Sequence, residues 1–95
     1  MIACSQCKAP LPERSASICG NVFGDEYIES YYYCANCGKY TREIYHDRFS
    51  GEDSITVQGP IEVSEAEAKM AIIRRCPAPS DESCDCAAHR EYFGI

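Results

Sequence analysis

The sequence predicts a small α+β domain bound together by metal, and three observations predict it. Eight cysteines fall within 95 residues, and chains of this size commonly add crosslinks or metals to a modest core. The segments YIESYYYC (27–34) and YTREIYHDRF (40–49) are dense in aromatic and β-branched residues, which suit a pleated surface. One run, SEAEAKMAIIRR (64–75), has the periodicity of a helix. The length fits a single domain over 1–95, with strands and a first ligand set in 1–58 and a helix with a second set in 64–95.

The elements follow in order. APLP after the first cysteines carries two prolines and is no regular helix. A short strand is expected near Ile18 to Phe23, with turns at Gly20 and Gly24. The segments 27–34 and 40–49 form a hairpin across CANCGK. In the second of these, Tyr40, Arg42, Ile44 and His46 share one face. DSITVQG (53–59) is a further strand after the SGED turn. The helix at 64–75 starts with Ser64 and Glu67 as a capping-box pair. Ala66, Met70 and Ile73 form its apolar stripe, and Arg74 and Arg75 complement its C-terminal dipole. Pro77 ends it, and a second short helix is expected near Asp85, carrying CAAHREYF.

Cysteine pairs can be disulfides or metal ligands, and the compartment decides between them. The N-terminus MIACSQCKAP has no basic region and no apolar run, so no signal peptide is expected. No stretch has the length and apolar character of a membrane span. A cytoplasmic, reducing setting follows, in which paired cysteines read as metal ligands. Nine Lys and Arg against fifteen Asp and Glu leave a formal charge of −6, which disfavours the phosphate backbone of a nucleic acid.

Cys4-Ser-Gln-Cys7 and Cys34-Ala-Asn-Cys37 are two Cys-x-x-Cys units separated by twenty-six residues. Each such turn aims two sulfurs at one ion while backbone N–H groups disperse the thiolate charge. Two turns complete a closed tetrahedral set, as structural zinc demands. Iron accepts the same four thiolates and is the less favoured ion. The stretches CSQCKAPLP and CANCGKY resemble the paired knuckles of the zinc ribbon family over residues 1–58. That resemblance implies Cys4, Cys7, Cys34 and Cys37 as zinc ligands, with a small β-ribbon backing the ion. Lys8 departs from it, standing where the family usually has Gly.

A second set lies in CPAPSDESCDCAAH, where Cys76, Cys84, Cys86 and His89 fall within fourteen residues. Three thiolates and one imidazole are a common structural zinc set. Cys86 and His89 share one face if a helical turn opens at Cys86, and Cys76 closes the set from the end of the long helix. Such a site ties the C-terminal segment to that helix. A redox pair at Cys84 and Cys86 is the alternative, opposed by the acidic neighbours Asp81, Glu82 and Asp85.

Cys19 is left over and reads as a packed thiol. His46, beside Asp47 and Arg48, reads as a hydrogen-bonded strand residue. No nucleophile–base pair stands out, and four protein ligands at each ion leave no open position for catalysis. The expected protein is therefore no enzyme. It is a carrier of two structural zinc ions that contacts a protein partner, through tyrosines and acidic groups suited to a basic one. An iron electron-transfer protein and a nucleic-acid-binding ribbon are the alternatives.

Overall fold

The computed structural model describes residues 2–94. Four strands run β1 (Ala16–Val22), β2 (Asp25–Cys34), β3 (Lys39–Asp47) and β4 (Asp53–Ile61), and two helices follow, α1 (Val63–Arg75) and α2 (Ala87–Phe93). The strands form one antiparallel sheet in the order β1-β2-β3-β4. Sequential antiparallel neighbours need only short turns, which the chain supplies at 23–24, 35–38 and 48–52.

The first turn is set by local chemistry. Phe23 and Gly24 both have positive φ (54° and 90°), the backbone of a type I′ hairpin. Gly24 N–H donates to Asn21 Oδ1 at 3.1 Å. Gly20 is not a turn as its type leads one to expect. It lies inside β1, paired with Tyr27, because the Phe93 ring occupies the space a side chain at this position would fill.

Both helices cover one face of the sheet, α1 against β1 and β3, and α2 against β1 and α1. Ile18 and Tyr31 from the sheet meet Ala66, Met70, Ile73 and Tyr92 from the helices in the main core. The expected stripe of α1 is thus the buried one. The helix begins two residues earlier than its capping-box pattern indicates, with Glu62 and not Ser64 as N-cap. No side chain caps it, because β4 runs through Ile61 almost directly into the first helical turn. Glu62 instead binds Lys39 Nζ at 2.6 Å. A second, smaller core gathers Cys4, Leu11 and Cys34, with Ile2 and Tyr32 against it. Among the described residues, no helix is long and apolar enough to cross a membrane.

Candidate metal centres

Two turns of matching shape build the first centre. Lys8 N–H donates to the Cys4 carbonyl at 3.1 Å, and Gly38 N–H donates to the Cys34 carbonyl at 2.8 Å. Lys8 and Gly38 then leave their turns with φ of 67° and 68°. The departure at Lys8 is therefore absorbed: a lysine adopts the left-handed backbone that glycine adopts freely. The second turn is the β2–β3 connection itself. The first is tied down by Cys4 N–H to the Ala9 carbonyl at 2.8 Å and Leu11 N–H to the Ile2 carbonyl at 2.9 Å.

A buried threonine on β3 docks the first turn on the sheet. Thr41 Oγ1 accepts from Ser5 N–H at 3.1 Å and meets Ser5 Oγ at 3.2 Å. Ser5 Oγ also fills the space beside Gly59 in which a side chain would sit. Neither Thr41 nor Gly59 carries a residue-type signal of this role.

The four sulfurs of Cys4, Cys7, Cys34 and Cys37 all lie within 4.8 Å of one another. Cys4 Sγ is 3.8 Å from Cys37 Sγ, and Cys7 Sγ is 3.7 Å from Cys34 Sγ. Thiolates bonded at about 2.3 Å to a tetrahedral ion stand about 3.8 Å apart, whereas disulfide sulfurs stand about 2.05 Å apart. All eight cysteines are unbridged. The spacing fits a metal ion.

The four thiols differ in their electrostatic surroundings. Backbone N–H groups of Cys7 and Gln6 hold Cys4 below the ordinary thiol value. Ala9 N–H and the Asn36 side chain bring Cys7 down to about 6. Cys37 is pushed up to about 12, first by Cys7 and then by burial. Four thiolates at this separation repel strongly, and a divalent cation at their centre removes that repulsion.

The second centre uses one helix end, one helix start and the loop between them. Cys76 follows α1, with its N–H bonded to the Ile73 carbonyl. Cys86 is the N-cap of α2, and its sulfur accepts from His89 N–H at 3.3 Å. The expected short helix is therefore present, with Cys86 just outside it. Cys76 Sγ lies 3.7 Å from Cys84 Sγ, 3.5 Å from Cys86 Sγ and 3.0 Å from His89 Nδ1. All four donor atoms fall within 4.8 Å of one another. His89 N–H brings Cys86 down to about 6, and burial raises Cys76 to about 11.

His89 is oriented from outside the ligand set. Its Nε2 lies 2.5 Å from the Cys19 carbonyl. A carbonyl only accepts, so Nε2 carries a proton, and in the neutral imidazole the lone pair is then on Nδ1, the nitrogen 3.0 Å from Cys76 Sγ. Outer hydrogen bonds of this kind hold a ligating imidazole in its tautomer. Cys19 N–H also donates to the Pro79 carbonyl at 2.7 Å, holding the ligand loop. Cys19 thus serves the second centre through its backbone, while burial raises its own thiol.

Of the eight cysteines and two histidines, seven cysteines and His89 gather in these two groups. His46 stands apart, with Nε2 2.9 Å from Asp25 Oδ2 and its ring stacked on Tyr27 at 4.3 Å. The acidic run near the second centre is exposed and locally engaged. Asp81 binds Ser83, and Asp85 binds Arg90 at 2.9 Å.

The class the fold and sites define is a small α+β protein with two Cys/His groups able to hold metal ions. No known protein family, no curated protein and no solved structure matches the chain.

Proposed function

We propose that this protein is a two-zinc structural module of the zinc ribbon type, acting in protein–protein contact within a reducing compartment. The carrying observation is that each group brings four protein donor atoms within 4.8 Å of one another. Four donors saturate zinc and leave no place for a reactive water, which suits a structural ion and not a catalytic one. The Cys3His composition of the second group favours zinc over iron, since imidazole with thiolates is a common structural zinc set. Cys4 and His89 are 2% and 3% exposed, and this burial supports the reading of ions held under protein in a structural role. Thiolate ligands persist where thiols stay reduced, which supports an intracellular setting.

The test compares native and denatured masses of the full chain, together with its visible spectrum. Two zinc ions per chain and no visible absorption are expected. A single ion per chain overturns the second centre. An iron–thiolate absorption band overturns the zinc assignment and turns the reading towards electron transfer.

A further inference from the structure

The helices cover one face of the sheet, and the register shows what the other face carries. Side chains alternate along each strand, and Ile18 and Tyr31 point into the core. Their neighbours therefore point away from it. Cys19, Ile28, Tyr45 and Ile55 are register partners across all four strands. They form an apolar row from one sheet edge to the other. Beside it runs the row Asn21, Glu26, Asp47 and Asp53. On its other side lie Ser30, itself buried, with Glu43 and Val57. Contacts within this face agree with the assignment, with Ser17 Oγ 3.1 Å from Ser30 Oγ and Tyr45 OH 3.2 Å from Asp53 Oδ2.

An antiparallel sheet can leave one face to water, and such a face alternates to polar residues. This one does not do so in its middle. Ile55 is 64% and Val57 49% exposed, on a strand that closes the sheet with a free edge. A groove of about 810 Å³ continues the face, with Ile2, Leu11 and Tyr32 as its apolar lining and Glu13, Arg14 and Glu43 as its charged lining.

Charge decides the occupant. The strands place Glu26, Glu43, Asp47 and Asp53 on this face, against Lys39, already paired with Glu62, and Arg14 of the adjoining groove, so carboxylates outnumber cations. Glu26 also meets Glu82, and that carboxylate neighbour raises its pKa. A second copy of the chain would bring the same carboxylates against its own. Nucleic acid would bring phosphates. A basic segment with apolar anchors relieves the repulsion and covers the apolar row.

We infer that the sheet face opposite the helices docks a Lys/Arg-rich, apolar-anchored segment of a partner protein. Its apolar side chains lie on the row Ile28–Tyr45–Ile55, and its cations lie against Glu43 on one side and Glu26, Asp47 and Asp53 on the other. This deepens the proposed interaction role by giving the partner its chemistry, and it rests on that role.

The test uses the zinc-loaded full chain and two amphipathic peptides with identical Leu positions, one with Lys and one with Glu at the polar positions. Amide shift mapping with the Lys peptide is expected to mark Ile28, Glu43, Tyr45, Ile55 and Val57. The Glu peptide is expected to leave them unmoved. Glu43→Lys with Asp53→Lys is expected to weaken the Lys peptide about tenfold. Glu65→Lys with Glu67→Lys changes net charge equally, on exposed positions of α1, and is expected to change affinity little. Equal weakening by both pairs would mean bulk charge attraction and overturn the assignment. Shifts confined to the helices, equal binding of the Glu peptide, or no shift at all would also overturn it. So would a dimer in solution whose contact maps to β4. Zinc content read on every sample separates the two questions: a chain that keeps two zinc ions and fails to bind loses the docking face alone.

Discussion

Lys8 holds a left-handed backbone (φ 67°) where the second turn has Gly38 (φ 68°). For a residue with a Cβ that conformation costs about 1–2 kcal/mol. Lys8→Gly is therefore expected to stabilise the metal-loaded protein by about 1 kcal/mol, read as a higher denaturant midpoint. An unchanged or lower midpoint would show that the Lys8 Nζ contact to the Ser5 carbonyl at 3.2 Å outweighs the strain. A second residue effect is acid-dependent. Phe49 N–H and then His46 hold the Asp25 carboxyl below its usual value. A depressed carboxyl contributes stability above its unfolded pKa of about 4, and loses it as pH falls through the folded value. Asp25→Asn is expected to lower the melting temperature at pH 7 and to flatten its decline below about pH 4. Parallel melting curves for the two proteins across that range would refute it.

Among elements, α2 depends on one absent side chain. Phe93 lies against Gly20 of β1, so Gly20→Ala is expected to destabilise by about 1–3 kcal/mol through overpacking. Trimming the ring with Phe93→Leu in the same chain should recover part of that loss. No recovery would mean that the strain lies elsewhere. The edge of β1 offers a sharper test. Exposed strand edges carry unpaired N–H and C=O groups, and at Cys19 both are taken, by the Pro79 carbonyl and by His89. Cys84→Ser weakens the second centre without touching either group. Hydrogen exchange at the Cys19 amide is expected to accelerate at least tenfold in that variant, with the β2–β3 amides little changed. Unaltered Cys19 protection would show that the loop holds without its ion.

At the scale of the whole molecule, the two Cys/His groups bring different parts together. The first joins the N-terminal turn to the β2–β3 hairpin, and the second joins the end of α1 to the start of α2. The main core lies between the sheet and the helices, and the smaller one includes Cys4 and Cys34 of the first group. Binding free energy at sites of this type is folding free energy, of order 10–16 kcal/mol in small zinc peptides. Chelation is therefore expected to abolish cooperative melting of the full chain. An apo form that keeps its circular dichroism and its sharp transition would show that the core suffices alone.

The two Cys/His groups were legible in the sequence because cysteine and histidine declare themselves by type. A Cys-x-x-Cys turn is also a local structure, whose geometry needs no distant contact. Strand pairing was legible around Cys34 and Cys37 for the same reason, since the hairpin turn and the metal turn are one segment. The stripe of α1 was legible from its periodicity. Gly20 was not, because the reason for its glycine is the Phe93 ring, seventy-three positions away. The start of α1 was not, because β4 delivers the chain at Glu62 and leaves Ser64 inside the first turn. The hold of Cys19 on His89 was hidden as well, since backbone N–H and C=O groups belong to every residue type. The sequence by itself determined which side chains can meet an ion. Only the tertiary structure decided how His89 is turned and which sheet face the helices leave uncovered, because both depend on groups brought together from distant parts of the chain.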